Sequence, residues 1–125
     1  NKNITFNHYN PNINPATDQE HIGILQKSMF VPDFRPQEQK DNWYVSCRVL
    51  KAISYGCLTV SDSSYLKNFI DDSLLVSEDA QEIFDLGMKN QYNKDLIVHQ
   101  MEIIKRDHTY LNRCKGILQI VENIK

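Results

Sequence analysis

A run of small polar residues, Ser61 to Ser64, follows a short apolar segment at Leu58 to Val60. In such a turn, hydroxyl groups and free backbone N–H groups can bind phosphate oxygens, and a helix that begins there adds a favourable field of about 0.3–1 kcal/mol. Asp62 would repel a phosphate, so we expect Ser63 and Ser64 to make the contacts. The run predicts an anion-binding turn. The alternative is that Asp62 or Ser63 only caps the helix.

Two cationic side chains, Arg48 and Lys51, precede this turn in the sequence. A guanidinium holds a diphosphate through two parallel hydrogen bonds that lysine cannot reproduce, so Arg48 is the first candidate for this contact. Lys51 would add a second positive charge near the same group. The alternative for Arg48 is a surface ion pair with Glu38 or Asp41.

Arg35 is a further candidate, because it stands at the end of an apolar stretch, Met29 to Phe34, that is expected to form a strand. Its side chain could reach the same cleft as the polar turn. Asp33 would share its face of the strand, so the two side chains could equally pair with each other. Trp43 and Tyr44 could stack on a nucleobase, although packing at the rim of the core is the commoner role of such residues.

The order of elements around these residues is typical of a parallel-sheet nucleotide-binding unit. A helical pattern from about Trp43 ends at Gly56, the strand at Leu58 to Val60 follows, and a new helix begins near Ser64. Turns after parallel strands lie at the carboxyl edge of the sheet, where ligands bind. We therefore expect an α/β fold, a Rossmann-like three-layer αβα arrangement with a short parallel sheet of three or four strands.

Capping residues and apolar periodicity predict the remaining elements. Thr17 and Glu20 form a capping-box pattern, which indicates a helix of about three turns. Ser77 is expected to cap a helix that turns Ile83, Phe84 and Met88 inward. The other expectations are a loop at 36–42, a short strand at 73–76, and two helices from position 93 onwards that meet near 107–109. The two helices are expected to carry one apolar stripe each, and these stripes consist of Leu96, Ile97, Met101 and Ile104 and of Tyr110, Cys114, Ile117, Leu118 and Val121.

Composition narrows the classes of function. The chain has 125 residues and a formal net charge of −2, which fits one domain and argues against nucleic-acid binding. Its three cysteines show neither metal-ligand spacing nor a disulfide framework, so we expect a reducing, cytoplasmic compartment and no metal site. No apolar run is long enough to span a bilayer. We expect residues 1–16 to be an extended segment or linker and residues 17–125 to be one domain, which Asn1 in place of Met suggests is part of a longer polypeptide.

The segment Arg48 to Asp62, followed by Tyr65 to Ile70 and Ser73 to Val76, resembles the donor-binding half of glycosyltransferases with the two-lobed GT-B architecture. The closing segment, His108 to Leu118, is similar to the His-Thr-Tyr helix of the spore-protein-like group of these enzymes (glycosyl transferases group 1). The two motifs stand in that family's order and at its spacing. The resemblance covers roughly residues 20–121.

This resemblance implies the C-terminal half of a GT-B fold, which binds a nucleotide-diphosphate sugar such as a UDP-sugar. The sugar would pass to an acceptor held by an N-terminal lobe of the same polypeptide. The resemblance implies no obligatory metal and places the usual catalytic base in the other lobe, so this chain alone would bind a donor without turnover. The residues that we expect at the donor site are Arg48, Lys51, Ser63, Ser64 and Arg35.

The chain departs from the family pattern at two positions. In sucrose-synthase-like members, a pair of glutamates eight positions apart holds the donor, and Trp43 and Lys51 occupy those positions here. A lysine cannot accept hydrogen bonds from ribose hydroxyls as a carboxylate does. Either the donor is held differently, or the donor has changed, or activity has been lost. The alternative function is a non-catalytic α/β module that serves as a structural lobe or binds a partner.

Overall fold

Three parallel strands form the centre of the protein in the computed structural model, which describes residues 12–13 and 15–124. The strands are β1 (Val31–Asp33), β2 (Thr59–Ser61) and β3 (Leu75–Val76). They lie in the order β1-β2-β3, and Val31 pairs with Thr59 while Val60 pairs with Leu75. The predicted α/β class with a short parallel sheet is confirmed. The expected extended segment at 1–16 lies almost entirely outside the described residues.

Seven helices accompany the sheet in the described part of the chain. They are α1 (Asp18–Lys27), α2 (Gln37–Asp41), α3 (Cys47–Ser54), α4 (Tyr65–Phe69), α5 (Ala80–Asn90), α6 (Lys94–Asp107) and α7 (Tyr110–Asn123). α2 is a correction, because the sequence predicts only a loop at 36–42. Pro36 supplies a backbone angle suited to a helix start, and the Asn42 side chain closes the helix by donating to the carbonyl of Glu38 at 2.8 Å.

Side-chain caps begin α1 and α5. The predicted capping box is confirmed at α1, where the N–H of Glu20 donates to Thr17 Oγ1 at 3.3 Å and the Glu20 carboxylate accepts from the N–H of Thr17 at 2.8 Å. The predicted cap of α5 is wrong. Asp79 caps it by accepting from the N–H of Glu82 at 2.8 Å, whereas the Ser77 hydroxyl accepts from the N–H of Asp79 outside the helix.

α3, which leads into the central strand, begins later than the sequence predicts. The Ser46 hydroxyl accepts from the N–H of Arg48 at 3.0 Å and caps the helix there. Trp43 lies before the helix with a φ of 54°, a value that no right-handed helix contains. The helix ends as predicted at Gly56, whose φ is 77° and whose N–H donates to the carbonyl of Ile53 at 2.9 Å.

The main core joins α3, α4 and α6 to the sheet, and α5 packs on all three strands. Its buried apolar side chains are Val49, Leu50, Ile53, Leu66, Ile70, Leu74, Ile103 and Ile104. Ile83 of α5 is also buried, as predicted, whereas the inward placement of Phe84 is wrong, because that side chain is 36% exposed and lies edge-on to the Phe30 ring. Gly87 lets α5 approach closely, because a Cβ there would lie 2.5 Å from a carbon of the Phe30 ring.

α7 differs from the other long helices in that none of its residues is buried. The predicted apolar stripe, which includes Ile117, Leu118 and Val121, is exposed to solvent. The predicted junction between α6 and α7 is confirmed, and the His108 ring lies 4.3 Å from the Phe69 ring at that point. No helix within the described ranges is long and apolar enough to cross a membrane.

Candidate functional site

The carboxyl edge of the sheet gathers most of the residues that the sequence singles out. The three strands end there at Asp33, Ser61 and Val76. α3 packs on β1 and β2, and its C-terminal end feeds the start of β2 through Gly56, so its first turn lies at this same edge. Arg48 occupies that first turn. The topology therefore brings the β1 tip, the polar turn after β2 and the start of α3 to one side of the sheet.

A buried ion pair occupies the β1 tip. The Asp33 side chain is fully buried, and Arg35 binds it through both Nε, at 3.0 Å, and Nη2. The Ser61 hydroxyl donates to the same carboxylate at 3.2 Å. A buried carboxylate needs such partners, because an unpaired one would lose its hydration without compensation. Of the two alternatives for Arg35, the structure contains the pairing with Asp33.

A second carboxylate, Asp62, ties the turn after β2 to the turn after β1. Both of its oxygens accept from the N–H of Arg35, at 3.0 and 3.1 Å, and Lys40 Nζ lies 3.1 Å from Oδ2. Asp62 is only 7% exposed. Its negative charge is thus balanced by the Arg35 N–H and the Lys40 ammonium group and is not available to a ligand. Lys40 is not evident from the sequence as a member of this edge, because the sequence predicts a loop at 36–42 where α2 positions it.

The two serines of the predicted anion-binding turn have different surroundings. Ser63 is buried, its N–H donates to the Ser61 hydroxyl at 3.1 Å, and its carbonyl accepts from the N–H of Leu66. Ser64 is exposed and stands at the start of α4 without a side-chain cap bond. α4 has only five residues, so its dipole supplies little of the field that a full helix would. Ser64 is therefore the more accessible of the two hydroxyls.

Arg48 and Lys51 differ from Arg35 in having no charged partner among the residues that the structure describes. Arg48 is exposed and Lys51 is half-buried, one turn further along α3. Neither side chain forms a hydrogen bond or an ion pair with another described residue. In particular, the alternative pairing of Arg48 with Glu38 or Asp41 is not present. Within the described ranges, neither cation is committed to an anionic side chain.

Aromatic side chains line the same region. Trp43 is 68% exposed and stacks on Tyr65, with ring centroids 5.9 Å apart and an angle of 15° between the planes. The Tyr44 ring lies 5.6 Å from the Arg35 guanidinium carbon. Tyr65 is the first residue of α4, so the stack sits beside Ser64. Sequence reasoning named Trp43 and Tyr44 but missed Tyr65, because nothing local connects residues so far apart in the chain.

Two titratable groups away from the sheet edge, His108 and Cys57, have surroundings that indicate structural roles. Burial lowers the pKa of His108, against the opposing effect of Asp107, and the ring packs on Phe69. Burial also raises the pKa of the Cys57 thiol to about 11, whereas Cys47 and Cys114 are exposed, and all three cysteines are free. Among the described residues, no group of three or more histidine, cysteine, aspartate or glutamate side chains is placed to hold a metal ion.

The geometry at the sheet edge thus separates into paired and unpaired charges. Asp33, Arg35, Asp62 and Lys40 satisfy one another, while Arg48 and Lys51 have no charged partner among the described residues and the side chains of Ser64 and Trp43 are exposed. Such a set can bind an anion and an adjoining planar ring.

Comparison with protein families, with curated proteins and with solved structures finds no match for this chain.

Proposed function

We propose that this chain is the donor-binding domain of a glycosyltransferase, with a Rossmann-like three-layer arrangement that forms the C-terminal half of a GT-B fold. Its substrate would be a nucleotide-diphosphate sugar, and its partner an acceptor-binding N-terminal lobe of the same polypeptide. The observation that carries the proposal is the unpaired Arg48 on the first turn of α3, at the carboxyl edge of a parallel sheet. Residues 48–62 and 108–118 resemble that family, and this resemblance supports the proposal.

The diphosphate is assigned to Arg48, with Lys51 and Ser64 beside it. A free guanidinium can donate two parallel hydrogen bonds to adjacent phosphate oxygens, and a second cation lowers the cost of holding two negative charges. Arg35 contributes differently from the sequence expectation, because its guanidinium is committed to Asp33 and its N–H to Asp62. It shapes the turn that presents Ser63 and Ser64 instead of contacting the ligand.

The nucleobase is assigned to the outer face of Trp43. One face of the indole lies on Tyr65, and the side chain is 68% exposed, so the other face is open for stacking. This arrangement offers a way to hold a nucleotide without the glutamate pair of the sucrose-synthase-like members. It gives Trp43 a function at the position where the family has a carboxylate.

The chemistry of such a domain is displacement at the anomeric carbon of the sugar. The departing nucleoside diphosphate gains negative charge as the glycosidic bond to it breaks, and Arg48 and Lys51 would stabilise that charge electrostatically. The acceptor and the catalytic base belong to the other lobe. The isolated chain is therefore expected to bind a donor and not to turn it over.

The second candidate function is a non-catalytic module, and one observation favours it. Four charges at the sheet edge, on Asp33, Arg35, Lys40 and Asp62, neutralise one another, as they would in a domain whose edge has only a structural role. In that case Arg48 and Lys51 would be ordinary solvated cations.

A two-dimensional NMR titration with UDP, GDP and their sugar conjugates separates the two functions. We expect saturable shifts of the backbone amides of Arg48, Lys51 and Ser64 and of the Trp43 indole N–H, together with a rise in melting temperature as ligand is added. Shifts that occur only with the uracil or only with the guanine nucleotides would identify the base of the donor. The absence of shifts with every nucleotide would contradict the glycosyltransferase proposal and favour the non-catalytic module.

A further inference from the structure

α7 carries a broad apolar face that no described residue covers. Leu111 is 65% exposed, Ile117 and Leu118 are each 61% exposed, Val121 is 49% exposed and Ile124 is 79% exposed. With Cys114 these side chains span a face about 140° wide, at 100° per residue. An exposed apolar surface of this extent usually marks an interaction site.

Six of the apolar positions along α7 are symmetric about the point between Ile117 and Leu118, whereas the exposed Tyr110 and Ile120 mirror Lys125 and Lys115. Reading outward from that point, apolar residues stand at positions 117, 114 and 111 in one direction and at 118, 121 and 124 in the other. Two copies of α7 packed antiparallel about this point would therefore place apolar side chains at the same heights. Leu111 of one copy would lie level with Ile124 of the other, and Cys114 with Val121. The pattern is complementary to itself in this orientation.

The charges beside the apolar face select the same orientation. Lys115 and Glu122 stand seven positions apart, on one flank of the face. In the antiparallel pair, Lys115 of each copy comes close to Glu122 of the other, which gives two ion pairs related by symmetry. In a parallel pair the same flank of the two copies lies on opposite sides of the contact, so neither ion pair would form.

A groove at the start of α7 adds surface to this contact. It has a volume of about 440 Å³ and is lined mainly by α6 side chains, including Val98, Met101 and Ile104, and by Thr109 at the head of α7. The antiparallel arrangement brings the C-terminal end of the second copy's α7, with Ile124, to this end of the helix. The groove matters because one helix alone falls short of the roughly 800 Å² per partner of a standard interface.

We infer that two copies of this chain associate through α7, packed antiparallel about a two-fold axis between Ile117 and Leu118. Association of this kind is independent of the proposed glycosyltransferase function, because α7 contributes no residue to the edge that holds Arg48. An isologous contact uses the same patch on both copies, which is what a self-complementary face provides.

Sedimentation equilibrium of the 125-residue chain tests the inference. We expect twice the mass of one chain, and we expect Leu118→Lys to raise the dimer dissociation constant about tenfold or more, because two lysines would meet near the axis. Gln119→Lys is the matched control, since it adds the same charge on the opposite side of α7 and should leave the dissociation constant unchanged. Circular dichroism should be the same for both variants, because α7 buries no residue in the single chain. A chain that stays monomeric at about 1 mM would overturn the inference.

Disulfide trapping tests the orientation. In an antiparallel pair the two Cys114 residues lie about 10 Å apart along the helix axis, which is too far for a disulfide. The two cysteines that Leu118→Cys introduces would lie almost level with each other. With Cys47 replaced by serine, the native Cys114 should not cross-link on mild oxidation. Leu118→Cys in a background with serine at 47 and 114 should cross-link readily. A dimer joined through Cys114, or no cross-link through position 118, would refute the antiparallel packing.

Discussion

The two sides of the sheet's carboxyl edge carry their charges in opposite ways. On the β1 side, the side chains of Asp33 and Arg35 are 0% and 9% exposed and bind each other. On the α3 side, Arg48 is exposed and binds no described residue. Charges that leave water need a partner inside the protein, so the β1 side holds the turns in place. The unpaired charge on the α3 side is the one available to a ligand.

The largest effect expected from this comparison is on stability, at the β1 side. Asp33→Asn keeps the shape of the side chain but removes its charge, which leaves the buried guanidinium of Arg35 without a counter-ion. We expect a loss of about 3–5 kcal/mol in the free energy of unfolding, measured by urea denaturation. Asp107→Asn is the matched control, because Asp107 pairs with Arg106 at the surface and its loss should leave the free energy of unfolding nearly unchanged. Equal losses of unfolding free energy for Asp33→Asn and Asp107→Asn would contradict the stabilising role of the buried pair.

A smaller effect is expected on the alkylation rates of two cysteines, one at the start of α3 and one just before β2. Cys47 is exposed on the first turn of α3, next to Arg48, whereas Cys57 is buried with a pKa raised to about 11. Since the thiolate is the reactive form, alkylation near pH 7.5 should modify Cys47 at least about a hundredfold faster than Cys57. Peptide mapping by mass spectrometry gives the two rates.

Nucleotide extends this thiol experiment to the α3 side of the edge. A donor held at Arg48 should slow the alkylation of Cys47 and leave that of Cys114, on α7, unchanged. Equal rates for Cys47 with and without nucleotide would argue against a ligand on the first turn of α3.

The sequence was sufficient for the elements that depend on local signals. The capping box at Thr17, the glycine stop at Gly56 and the order of helix, strand and turn around β2 all follow from residues close together in the chain, and the structure contains them. The α/β class follows from the same order. The predicted cap of α5 was wrong by two positions, because serine and aspartate both suit a helix start and local sequence does not choose between Ser77 and Asp79.

The network at the sheet edge could not be predicted in the same way. Asp62 binds the backbone of Arg35 from 27 positions away, and Ser61 binds Asp33 from 28 positions away. Such pairings depend on strand register, which no local pattern specifies. The apolar stripe of α7 shows the converse, because the sequence predicts it, while only the structure reveals that no residue in its described part covers the stripe.

The division between paired and free charges is tested most directly by calorimetric titration of the nucleoside diphosphate identified by NMR. Arg48→Ala is compared with Arg106→Ala, which removes an exposed arginine at the end of α6. We expect Arg48→Ala to weaken binding by about 1.5–3 kcal/mol, or roughly 10- to 150-fold, without a change in stability. Arg106→Ala should bind like the unmodified chain. Unchanged affinity in a folded Arg48→Ala variant would contradict the assignment of the free cation to the ligand.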